Sequence, residues 1–135
     1  MARILVVANK TAESPELLET LKAKGADNEF VLVVPAAGGL LEKAADPDAA
    51  REHTEPHLTA ALEKFHAEGL NVEGSIGDSD PVAAVQDAVN FGQFDEIIIS
   101  TLPIRASKWL KLDLPSKAGR ASGLPVTHVQ SKQAD

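Results

Sequence analysis

Five short apolar runs punctuate the chain, at positions 4–8, 30–34, 70–76, 96–99 and 125–129. Between them apolar residues recur every three or four positions, the spacing of one helix face. Ile97, Ile98 and Ile99 are consecutive and β-branched, which suits a strand covered on both sides. The runs at 70–76 and 125–129 hold more polar residues, so they are expected at the sheet edges. Ser14 before Pro15, and Asp80 before Pro81, each pair an N-cap with a proline at the first helical position. Leu17, Leu18 and Leu21 then share a face, with Gly25 placed to end the helix. Leu58, Leu62 and Phe65 mark a second helix ending near Gly69, and Val82, Val85 and Val89 mark a third. A fourth is predicted over 114–121, followed by Gly123. This βαβαβαβαβ order predicts an α/β fold: one parallel sheet of five strands with helices on both faces.

Two segments resist the scheme. The stretch 36–48 joins the second strand to its helix and is longer than most such connections. Leu40 and Leu41 make it either an ordered flap or a mobile loop. Pro56 leaves two options for the helix that follows: it begins there, or it begins near Pro47 and is kinked at Pro56. No internal repeat or interdomain linker is evident, so positions 1–135 are expected to form one domain, with 130–135 as a frayed tail. In parallel sheets ligands sit beyond the carboxyl ends of the strands. The segments after Ala8, Val34, Ile76 and Ile99 are therefore where a site is sought.

Composition narrows the options. There is no cysteine, which removes disulfides, thiolate metal sites and thiol nucleophiles. The opening apolar run is too short for a signal peptide, and no run approaches the roughly 18 residues of a membrane span. A cytoplasmic location without membrane association is expected. Net charge is −7, but unevenly spread: positions 1–102 hold 7 Lys/Arg against 18 Asp/Glu, and positions 103–135 hold 6 against 2. An acidic body repels nucleic-acid phosphates, so no nucleic-acid partner is expected. The basic segment can still hold a small anion or simply be a solvated helix face.

Within that segment, positions 100–113 offer the hydroxyls of Ser100, Thr101 and Ser107 and the cations Arg105, Lys108 and Lys111. Arg105, Lys108, Thr101 and Ser107 together can hold a phosphate. Trp109, the only tryptophan, is either a stacking surface for a base or a packing anchor beside Leu110 and Leu112. Asp78 and Asp80 follow the third strand and suit a metal or acid–base pair, although Asp80 reads first as a helix cap. His53 and His57 share a face only if the helix is unbroken at Pro56. His66 is expected to be exposed on the same helix. No metal site is assigned.

Three landmarks resemble the universal stress protein family: the opening at 3–9, the segment 77–81 entering a helix, and the run 95–101 followed by a basic loop, a helix and the closing run 124–129. The resemblance spans nearly the whole chain and rests on order and spacing. It implies the adenine nucleotide α-hydrolase-like strand order 3-2-1-4-5, and in many members a homodimer joined along the last strand, here through Val126 and His128. Protonation of His128 would then weaken that dimer below about pH 6.5. It also implies ATP or AMP as ligand, with Asn9, Gly77, Asp78, Ser100, Thr101, Arg105, Ser107 and Lys108 at the site. Nucleotide-binding members carry an aspartate where Asn9 stands, and glycines where Ser100, Pro103 and Asp113 stand, with Leu114 at their Ser/Thr position. This sequence lacks that glycine signature. Pro103 has no N–H, and Asp113 sets a negative charge where a phosphate would lie.

Three functions follow from these readings. The first is a non-catalytic stress-related regulatory domain that binds a nucleotide or other phosphorylated small molecule after the fourth strand. The second is a ligand-free dimerisation or protein-interaction module, with Leu110, Leu112 and Leu114 as an apolar contact. The third is a nucleotide hydrolase using Asp113 as a base. It lacks a P-loop, a nucleophile elbow and any evident partner for Ser107.

Overall fold

Strand β1 (Arg3–Val7) is apolar at consecutive positions because both of its faces are covered. In the computed structural model, which describes residues 2–8, 12, 14–36, 47–78, 80–101 and 113–130, Ile4, Leu5, Val6 and Val7 are each at most 1% exposed. The elements after β1 are α1 (Pro15–Lys24), β2 (Glu29–Pro35), α2 (Pro47–Ala67), β3 (Asn71–Gly77) and α3 (Pro81–Phe91). They are followed by β4 (Glu96–Thr101), α4 (Leu114–Ser122) and β5 (Val126–Gln130). The strands form one parallel sheet in the order β3-β2-β1-β4-β5, so β3 and β5 are its edges, as their polar content predicts.

Alternation along each strand divides the core into two layers. Ile4, Val6 and Ile98 face α1 and α2, packing with Leu17, Leu21, Leu58 and Phe65. Leu5, Val7, Ile97 and Ile99 face α3 and α4, packing with Val85, Leu114 and Ala118. Each such side chain contributes roughly 1.5–3 kcal/mol by leaving water. The sheet's amino edge is also pinned by polar contacts. Arg3 N–H donates to the Asp95 carboxylate at 2.8 Å, and Asp95 N–H returns a bond to Arg3 carbonyl at 2.8 Å. The Arg3 guanidinium lies over the Phe94 ring, 4.8 Å from its centroid.

The structure resolves the options at Pro56, because α2 runs unbroken from Pro47 through it. Gln130, expected in the frayed tail, instead closes β5 paired with Thr101. Leu114, considered above as part of an exposed apolar contact, is 1% exposed and belongs to the core. Leu40, Leu41, Leu110, Leu112 and Trp109 lie outside the described residues.

Two glycines set how closely helices approach the edge strand. A Cβ on Gly74 would lie 2.7 Å from Leu58 Cδ1 of α2. At the end of β3, a Cβ on Gly77 would lie 2.7 Å from Val33 Cγ1 and 3.0 Å from Ala84 Cβ. Gly77→Ala is therefore expected to destabilise the protein by about 1–3 kcal/mol through overpacking. Urea denaturation measures this; an unchanged midpoint would show that α3 moves aside freely.

Candidate functional site

The carboxyl ends of the strands are tied together before any ligand is considered. Ala8 N–H donates to Val33 carbonyl at 3.3 Å, fixing the end of β1 against β2. Ala36 N–H donates to Gly77 carbonyl at 3.0 Å, fixing β2 against β3. The α3 N-terminus opens on the same edge, because Asp80 caps it and Pro81 follows. Asp80 Oδ1 accepts from Val82 N–H at 3.0 Å, and Asp78 Oδ1 accepts from Asp80 N–H at 2.9 Å. One oxygen of each carboxylate thus shapes the turn into α3. Both side chains are exposed.

Ser100 and Thr101 end β4 and are buried, at 0% and 3% exposure. Thr101 points to the α3 and α4 face, one strand away from β5. There its Oγ1 lies 2.7 Å from Nε2 of His128. Burial lowers the His128 pKa from its ordinary value, because charging the ring costs hydration. Of the residues anticipated for the site, Gly77, Asp78, Ser100 and Thr101 stand at the carboxyl edge, on β3, β4 and the turn after β3. Asn9, Arg105, Ser107 and Lys108 lie outside the described residues, as does Lys111.

Sequence reasoning assigned His128 to the sheet edge and a symmetry partner, and missed its bond to Thr101. The signal is the β4/β5 register, in which Ile99 lies opposite His128. That register places His128 and Thr101 on one face, two residues apart along the sheet. Nothing in the separate spacings of the two strands gives it.

The N-terminus of α4 carries the clearest backbone anomaly. Asp113 adopts φ 57°, ψ 45°, the only positive φ at a non-glycine among the described residues. Its carboxylate makes no capping hydrogen bond. This left-handed geometry favours glycine, so Asp113 occupies a glycine-type position with a charged side chain.

Histidine geometry elsewhere is structural. His66 is exposed, and its Nε2 donates to Val72 carbonyl at 2.8 Å, across the α2–β3 junction. His57 is exposed on α2, while the His53 side chain lies outside the described set. Among the described residues, no three His, Cys, Asp or Glu side chains gather as metal ligands. No helix there is long and apolar enough to cross a membrane.

No protein-family model matches the chain, and no curated protein matches it in sequence. Solved structures do match in three dimensions. One is a protein whose biochemical function was assigned from its structure, 17% identical, with a TM-score of 0.72 over 98% of this chain and 99% of that one. A second is a universal stress protein family protein from Arabidopsis thaliana with AMP bound. It is 14% identical, with a TM-score of 0.64 over 98% of this chain and 93% of that one. A third is a universal stress protein in complex with cAMP, 17% identical, with a TM-score of 0.57 over 98% of this chain and 100% of that one. Likeness at this level of identity establishes the fold.

Replacing Asp113 by glycine removes both the strained φ and the carboxylate. Asp113→Gly is expected to raise stability by about 0.5–1 kcal/mol. Thermal unfolding checks this. A lower midpoint would mean that the Asp113 side chain supports the α4 N-terminus.

Proposed function

We propose, from the universal stress protein fold as premise, that this chain is a non-catalytic regulatory domain of that family. In this reading it binds a nucleotide or another phosphorylated small molecule at the loop after β4. The observation that carries the reading is the end-to-end likeness to structures holding AMP and cAMP. The same edge of this chain gathers Gly77, Ser100 and Thr101, with the α4 N-terminus following in sequence. Arg105, Lys108 and Ser107, in the segment between β4 and α4, are the groups we assign to the phosphate. Regulation rather than turnover is favoured by the composition, since no nucleophile–base pair is legible around Ser107. The cysteine-free chain suits a reducing compartment such as the cytoplasm.

Asp113 favours a second reading, in which ligand binding is lost and dimerisation or docking remains. A carboxylate at an α4 N-terminus opposes a phosphate there, whatever the helix dipole contributes. Both readings share one surface, the unpaired outer side of β5, which we assign to a homodimer through Val126 and His128.

The two readings separate by ligand-induced stabilisation. AMP or cAMP at 100 times its dissociation constant is expected to stabilise the fold by about 2.7 kcal/mol. In thermal unfolding that is a rise of about 10 °C. Arg105→Ala combined with Lys108→Ala is expected to abolish the rise. No shift with AMP, cAMP, ATP or inorganic phosphate would leave the interaction module as the better account. Sedimentation equilibrium at micromolar protein is expected to give twice the 14.2 kDa chain mass; a monomer would sink the β5 dimer.

A further inference from the structure

The amino edge of the sheet, opposite the strand ends that carry Gly77 and Thr101, holds an open cavity of about 620 Å³. Its walls come from the C-terminal ends of α3 and α4 and from residues at the starts of β1 and β4. That volume is in the range of small-molecule sites. Gly92, which ends α3, keeps the cavity open. A Cβ there would lie 3.0 Å from Arg3 Nη1 and 3.3 Å from Phe94 Cε2.

Two opposite charges line this cavity without their side chains pairing with each other. The Arg3 guanidinium lies over the Phe94 ring, its Nε is 3.7 Å from Glu29 Oε2, and Nη1 donates to the Gln93 carbonyl at 3.5 Å. A guanidinium has five N–H groups, so three are left without a partner among the described residues. The Glu29 contact is long and about half exposed, and such a pair contributes little. Asp95 Oδ2 accepts from Arg3 N–H at 2.8 Å, while Oδ1 has no hydrogen bond among the described residues. No basic residue stands in the last turn of α3, so the negative end of that helix adds to Asp95. Val89, Phe94 and Leu124, each half-buried, supply an apolar wall.

We infer that this cavity is a second small-molecule site, which takes a free amino acid with an aliphatic side chain. The unbonded N–H groups of Arg3 bind its carboxylate. Asp95 Oδ1 and the end of α3 bind its ammonium group, and the side chain lies against Val89 and Leu124. Charge selects this class of ligand. A phosphate would meet Asp95, Glu29 and a helix C-terminus in a chain of net charge −7. A simple cation would meet the guanidinium. A zwitterion satisfies both groups and adds no net charge. The site shares no residue with the phosphate site proposed at the carboxyl edge, so either can fail alone.

The probe is L-leucine, followed by amide NMR of the wild-type protein. Leucinamide, which lacks the carboxylate, and isocaproate, which lacks the ammonium, are the comparison ligands. Leucine is expected to shift the signals of Gly92, Phe94, Asp95 and Leu124 saturably and to leave those of Gly77 and Thr101 in place. Each comparison ligand loses one charge-assisted contact and is expected to bind at least about tenfold more weakly. Asp95→Asn retains an oxygen for Arg3 N–H while removing the charge. It is expected to weaken leucine by a similar factor and to leave isocaproate no weaker than before. The ligand series on the wild-type protein decides the matter even if that variant is disturbed. No saturable shift up to the solubility limit of leucine, equally tight binding of either comparison ligand, or shifts centred on Gly77 and Thr101 overturns the inference.

Discussion

The constraint on which the rest depends is that β1 and β4 must be covered on both faces. Their side chains alternate between two apolar layers: Ile98 is dry because α1 and α2 cover one side, and Ile97 and Ile99 are dry because α3 and α4 cover the other. That requirement fixes a parallel sheet, since each crossover must carry its helix back over the sheet. It also sets every helix after a strand's carboxyl end, which gathers the connecting segments on one edge. A candidate site at that edge is therefore a consequence of how the core is buried.

Polar groups at that edge divide between architecture and chemistry. Asp78 and Asp80 resemble a carboxylate pair, yet an oxygen of each is bonded to backbone in the turn entering α3. Gly77 permits the close approach of Val33 and Ala84. Thr101 differs: it is buried, at a strand end, and hydrogen-bonds an ionisable ring on the next strand. The opposite, amino edge is stitched by Arg3 and Asp95, so the two ends of the sheet have separate roles.

Asp113 holds a left-handed backbone, φ 57° and ψ 45°, that favours glycine, and it brings a carboxylate to the N-terminus of α4. The turn is made by a residue that does not make it easy, and the carboxylate changes what can approach α4.

Apolar periodicity, caps and prolines were enough to determine the elements and their type. Consecutive branched residues at 97–99 marked a central strand, and Ser14 and Asp80 marked helix starts, because these signals are local and act through backbone geometry. The carboxyl edge was likewise legible, since it follows from strand–helix alternation. Tertiary structure alone decided that α2 passes through Pro56 unbroken, that Leu114 is core, and that His128 meets Thr101. Each of those depends on which residues of separate elements lie opposite one another. Register is set by packing across the whole sheet, and no single segment carries it.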